Sequence, residues 1–233
     1  RQNYSFTKAC TECRVRVFLM AVILYSYRRC PYAMRARSAL ILAKVIFEVR
    51  EISLRNKPPS FLVYSPKGTV PVLVMPDQSV IDQSLDIMDW ALHQPDARNY
   101  LPDDEVSKLF TRKWIMANDD SFKHLLDAYK YPERYVEITQ ENSLACALET
   151  YLLPLNQLLV QQPFLLGGYF QLVDLAIFPF IRQFAMVDLE RFKQLPLPNL
   201  QKWLNFFLQS ELFEQVMTRY PLWIDPKLTL TNS

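Results

Sequence analysis

Between Leu24 and Arg35 an apolar run passes through a basic turn, Arg28-Arg29, into Cys30-Pro31 and a helical pattern. That order restricts the fold more than any other stretch. Ala21 to Ser26 has the length and apolarity of a central strand. From Pro31 onward Ala33, Ala36, Leu40, Ala43 and Phe47 recur at three- and four-residue steps, with Arg35, Arg37 and Lys44 off the stripe. The spacing predicts an amphipathic helix packed on a sheet. Val49 to Leu54 then alternates and reads as a second strand. Strand, helix and strand in this order imply a right-handed parallel crossover.

A helix that starts at Cys30 gives its thiol the unpaired amides and positive dipole end of the first turn, and both favour a thiolate. Pro31 suits that turn because its missing N–H would be unbonded there anyway. Turn and short-helix signals follow in Lys57-Pro58-Pro59-Ser60 and Tyr64 to Gly68. Val70 to Val74 and Ser79 to Ile81 read as a hairpin around Pro76-Asp77-Gln78, and Ser84 as the cap of a helix that ends before Pro95. After Pro102 strand-like alternation disappears. About five helices are expected there, Leu200, Trp203, Leu204 and Phe207 forming one apolar stripe. The boundary is placed between Arg98 and Asp103, dividing a small α/β domain (21–97) from an all-α domain (103–228).

Composition narrows the chemistry. Three glycines, Gly68, Gly167 and Gly168, cannot write a phosphate loop or dinucleotide fingerprint, so no nucleotide cofactor is expected. His93 and His124 are too far apart for a local ligand pair, and no metal is expected. A net charge of +2, from 26 basic and 24 acidic side chains, gives no reason to expect nucleic acid or a membrane as partner. Four irregularly spaced cysteines make a poor disulfide framework for 233 residues, which favours a reducing compartment, the cytoplasm. Residues 1–20 read as an N-terminal extension; the apolar run Val15–Tyr27 is too short to span a bilayer and lacks a small-residue cleavage site. Cys10 and Cys13 have the spacing of half a zinc site or a redox pair, but no second pair accompanies them.

A βαβ–ββα unit with cysteine at its first helix and Val70-Pro71 before its third strand resembles a thioredoxin-like domain. With a helical domain behind it, the chain resembles the cytosolic glutathione S-transferases over about Ile23 to Trp223. Cys30 to Arg37 is similar to the Cys-Pro-(Phe/Tyr)-x-x-Arg-x-Arg pattern of cysteine-containing members, the omega class and many bacterial homologues, and Glu51 to Pro58 also fits the omega pattern. The resemblance implies that Cys30 faces the glutathione sulfur, with Tyr32 beside it in the binding set. It implies a cis-proline at Pro71, so that the Val70 backbone pairs with the tripeptide like an added strand. Gln83 and Ser84 would hold the γ-glutamyl carboxylate at a helix start, and Lys57 would reach the glycyl carboxylate. Asp174 matches a buried aspartate that opens a core helix, with Gln171 where the family places Ser or Thr.

The activity these residues imply is glutathione-dependent thiol transfer, with Cys30 as a nucleophile that forms a mixed disulfide with glutathione. Ala33 stands where a resolving cysteine would complete a Cys-x-x-Cys motif, so a second glutathione must finish the cycle. The other substrate is a mixed disulfide or a small electrophile. Tyr25, Ser26 and Tyr27 offer a rival, a hydroxyl that activates glutathione for conjugation. A non-catalytic binding protein on the same fold is the third possibility. Trp114, Phe122, Tyr129 and Tyr131 are mostly expected in the core. The family's habit of two-fold pairing makes a homodimer an option.

Overall fold

The computed structural model describes residues 21–225, so the extension expected at 1–20, with Cys10 and Cys13, lies outside the described residues, as do the last positions of the helical region. The α/β half runs β1 (Val22–Ser26), α1 (Pro31–Leu42), β2 (Phe47–Glu51), α2 (Pro59–Tyr64), β3 (Val72–Val74), β4 (Val80–Ile81) and α3 (Ser84–Leu92). The sheet order is β2-β1-β3-β4, with β1 and β2 parallel and the other pairs antiparallel. This is the thioredoxin-like arrangement.

The second strand lies earlier than its alternation suggests. It pairs with β1 from Val22↔Phe47 to Ser26↔Glu51, and the ladder ends when β1 does. Ile52 N–H still reaches Ser26 O at 2.9 Å, but Leu54 has no strand to join and is exposed.

The helical half comprises α4 (Glu105–Ala117), α5 (Lys123–Lys130), α6 (Gln140–Ala147), α7 (Leu153–Leu158), α8 (Leu172–Ala185), α9 (Leu189–Gln194), α10 (Pro198–Leu208) and α11 (Glu211–Val216). A π turn, Asn118–Phe122, joins α4 to α5, and another, Leu148–Leu152, joins α6 to α7. Counting each joined pair once gives six helices among the described residues, one more than expected. The two widened turns pack on each other: Phe122 stacks on Tyr151 at 4.3 Å, and Tyr151 Oη donates to Asn118 Oδ1 at 3.3 Å. No described helix is long and apolar enough to cross a membrane.

The strands alternate as the pleat requires. Leu24 and Leu73 face α1, α3 and the helical half, whereas Tyr25, Val72 and Val74 face the opposite side with Phe61. That second face is closed by the end of the described chain: Trp223 packs edge-on against Tyr25 at 5.6 Å, and its N–H donates to Glu51 O at 2.7 Å.

Helix α1 departs most from expectation. It is buried on nearly every side, from Ala33 through Leu40, because α3 and the sheet cover one flank while α8 and α11 cover the other. Arg35 and Arg37, off the apolar stripe, are therefore interior rather than solvated. A buried charge needs partners, and Arg35 has an ion pair, whereas Arg37 has neutral acceptors and a buried Nε without a hydrogen bond. Arg37 donates to Ser26 Oγ and, at 2.5 Å, to Arg28 O. Arg35 Nη1 and Nη2 form a two-pronged pair with Asp119 at 2.8 and 2.6 Å, and Nε donates to Ala176 O at 2.7 Å.

At the head of α8, Asp174 supplies its half of a capping box by accepting from Gln171 N–H at 3.0 Å. It also accepts from Leu165 N–H at 3.0 Å and Trp203 Nε1 at 2.8 Å. Trp203 belongs to the buried stripe of Leu200, Trp203, Leu204 and Phe207 that the spacing predicts.

Candidate active site

Cys30 is the N-cap of α1, in extended conformation, its N–H bonded to Tyr27 O at 3.0 Å. The Val70–Pro71 bond is cis. The Cys30 thiol donates to the Val70 carbonyl at 3.9 Å. Among the described residues the Val70 amide has no hydrogen-bond partner, so this stretch presents a free strand-like edge beside the sulfur.

The sulfur opens onto a cleft of about 710 Å³ between the two halves, lined by Tyr27, Cys30 and Tyr32 from one side and by Lys123, Tyr131 and Arg182 from the other. Tyr32 packs edge-on against Phe180 at 4.9 Å, and burial, then the Asp119 carboxylate, push its pKa up to about 12. Its phenol stays neutral. Of the aromatics considered from the sequence, Phe122 and Tyr129 are core, Trp114 is half-buried, and Tyr131 reaches the cleft.

Lys57, Val70, Pro71, Gln83 and Ser84 stand outside the cleft lining. Lys57 lies along Gly68: a Cβ there would meet its Nζ at 2.8 Å, and the φ of +64° is one that favours glycine. Gln83, not Ser84, is the N-cap of α3, and it is exposed. Ser84 is the first helical residue, buried, and its Oγ accepts from Arg35 Nη1 at 3.5 Å. The expected serine cap is therefore corrected, because the buried Arg35 fork takes the hydroxyl.

Electrostatics at Cys30 also differ from expectation. Burial raises the thiol pKa above its ordinary value, although the Ala33 and Tyr32 amides, then Arg37 and Lys123, pull it down. A helix start offers an adjacent anion about 0.3–1 kcal/mol; here that is less than the cost of removing the thiolate from water.

The rival hydroxyls separate cleanly. Tyr25 is buried on the far face, accepts from Arg50 Nη1 at 2.9 Å, and has its pKa raised by burial. Ser26 is buried and occupied by Arg37. Tyr27 lines the cleft.

Lys123 and Asp127 also reach the cleft, and nothing local in the sequence marks either of them. Arg182 did carry a signal, a cation set directly after the apolar run Leu175 to Ile181.

Family models of the glutathione S-transferase N-terminal domain and C-terminal domain match residues 24–99 and 147–205, more than half of the chain together. The chain belongs to the glutathione S-transferase family. Glutathione S-transferase omega-1 of Sus scrofa is 33% identical over 85 residues, 36% of this chain and 35% of the relative, so the chain matches about a third of that relative's length. Glutathione S-transferase U19 of Arabidopsis thaliana is 29% identical over 204 residues, 82% of this chain and 86% of the relative. The Tau class glutathione S-transferase of mango, Mangifera indica, superposes with a TM-score of 0.72 at 24% identity, covering 85% of this chain and 93% of its own. Glutathione transferase Omega 2C of Trametes versicolor gives 0.68 at 22%, covering 84% and 93%. These two structures share the fold.

Proposed function

We propose that this glutathione S-transferase is a thiol transferase with Cys30 as nucleophile and glutathione as cosubstrate, working in the cytoplasm. The observation that carries the reading is the Cys30 sulfur at the head of α1, 3.9 Å from the Val70 carbonyl and open to the cleft. Glutathione would lie along the free Val70 edge, its γ-glutamyl carboxylate toward Gln83 and Ser84 and its glycyl carboxylate toward Lys57. Once ionised, Cys30 attacks the glutathione sulfur of a mixed disulfide. The Cys30–glutathione bond forms as the old disulfide breaks, and the departing sulfur takes the electron pair and then a proton. A second glutathione thiolate attacks that adduct, giving glutathione disulfide and free Cys30.

Exposure to glutathione disulfide, followed by intact mass and peptide mapping, tests this. One glutathione is expected on Cys30, and mapping separates it from any adduct on the exposed Cys146. Because burial raises the Cys30 pKa, its alkylation rate without glutathione should keep climbing past the ordinary thiol value of about 8.5. Full activity of Cys30→Ser toward a glutathione mixed disulfide would end the proposal.

A second reading rests on Tyr27, whose place in the cleft suits a hydroxyl that donates to a glutathione thiolate in conjugation. Chlorodinitrobenzene turnover that survives Cys30→Ser and falls with Tyr27→Phe would favour it.

A further inference from the structure

Four cations line the cleft beside Cys30: Arg29, Lys123, Lys130 and Arg182, against one carboxylate, Asp127. Two have polar partners, and the other two, Lys130 and Arg182, have an aromatic ring beside them. Lys123 pairs with Asp127 on the same helix. Lys130 sits 4.9 Å from the centre of the Tyr131 ring. Arg29 is exposed and donates to Tyr27 Oη at 3.4 Å.

Arg182 is different. It is half-buried in the last turn of α8, its Nε is buried without a hydrogen bond, and it has no ion pair among the described residues. Its guanidinium carbon lies 5.4 Å from the centre of the Phe213 ring. Burial, then Arg28 and Arg29, lower its pKa, so its surroundings oppose the charge. The negative end of α8 favours a cation here, but a compact ammonium would answer that. A guanidinium fork facing a cleft suits a planar or multi-oxygen anion.

We propose that Arg182 binds a carboxylate or sulfonate on the departing half of the second substrate, so that the protein selects disulfides whose other half is anionic. This rests on the thiol-transferase reading above for the direction of transfer, but not for the existence of the anion site. Binding of such a group brings opposite charge to a cleft with three more cations than carboxylates, and supplies Arg182 with the partner the fold withholds.

The test has a binding arm and a turnover arm. In Cys30→Ser protein, naphthalene-2-sulfonate should bind about tenfold or more tighter than uncharged naphthalene-2-methanol, the worth of one charge-assisted contact. Added Arg182→Gln should bring the two within about twofold, and Arg182→Lys, which keeps the charge without the fork, should fall between. No preference for the sulfonate, or a preference that survives Arg182→Gln, overturns the site.

For turnover, glutathione mixed disulfides with 2-mercaptoethanesulfonate and with 2-mercaptoethanol are compared in the unmutated protein and in Arg182→Gln. The sulfonate should be preferred through a lower KM, and Arg182→Gln should erase the difference. Glutathione disulfide behaving like the sulfonate would identify the peptide's own carboxylates as the anion; behaving like the hydroxyethyl compound would identify a non-peptide acid. No turnover with any of the three refutes the thiol-transferase reading, and the binding arm still decides the anion site.

Discussion

Arg35 and Arg182 both meet α8, and the fold treats them oppositely. Arg35, completely buried, spends its fork on Asp119, Ala176 O and Ser84 Oγ. Arg182, at the other end of the same helix, keeps a buried Nε unbonded at the wall of the cleft. One guanidinium is consumed in joining the two halves of the molecule, and the other is left for something that enters between them. Partner count, rather than residue type or depth, separates a structural charge from a binding one.

The largest effect is expected at Asp119. Asp119→Ala strands a buried guanidinium and should cost about 3–5 kcal/mol in urea unfolding. Arg35→Met should cost less, because Asp119 is 24% exposed and can turn to water. Replacing both by apolar residues should recover much of the loss. An Asp119→Ala protein as stable as the parent would remove Arg35 from the class of structural charges.

Asp174 offers a second, somewhat smaller test of a buried charge with all its partners. Burial pushes its pKa from 3.8 up to about 6 despite three hydrogen bonds. The folded chain thus keeps a proton that the unfolded chain has released, so this contribution to stability is complete below about pH 4 and fades as pH rises through 6. The stability gap between the parent and Asp174→Asn should be wider at about pH 5 than at about pH 7.5. A gap that narrows toward acid would contradict the assigned direction.

The smallest effect belongs to Arg182. With no polar partner to strand among the described residues, Arg182→Gln should change stability by no more than about 0.5 kcal/mol. A loss of several kcal/mol would place it beside Arg35 and weaken the case for a ligand.

How legible each feature was follows from its range. Cys30-Pro31, Val70-Pro71 and the Leu200–Phe207 stripe were readable because a cap, a proline and a helical period are set by neighbours in the chain. The burial of Arg35 was not, since its bonds reach 84 residues to Asp119 and 141 to Ala176. A one-sided stripe describes a helix with one partner, and α1 has partners on both flanks. The β2 boundary failed for a related reason: alternation continues in Val49 to Leu54, but pairing stops with β1.

The sequence by itself determined the order of strands and helices, the cysteine at the head of α1 and the family. Those depend on local backbone preference and on which residues repel water. Only the tertiary structure decided the state of each charge. It buried Cys30 deeply enough to raise its thiol pKa, moved Ser84 from cap to Arg35 acceptor, retired Tyr25 and Ser26 from the site, and left Arg182 at the cleft with a ring beside it and a buried Nε unbonded. A charge's energy is fixed by the solvent it loses and the partners it gains, and both are supplied by segments far away in the chain.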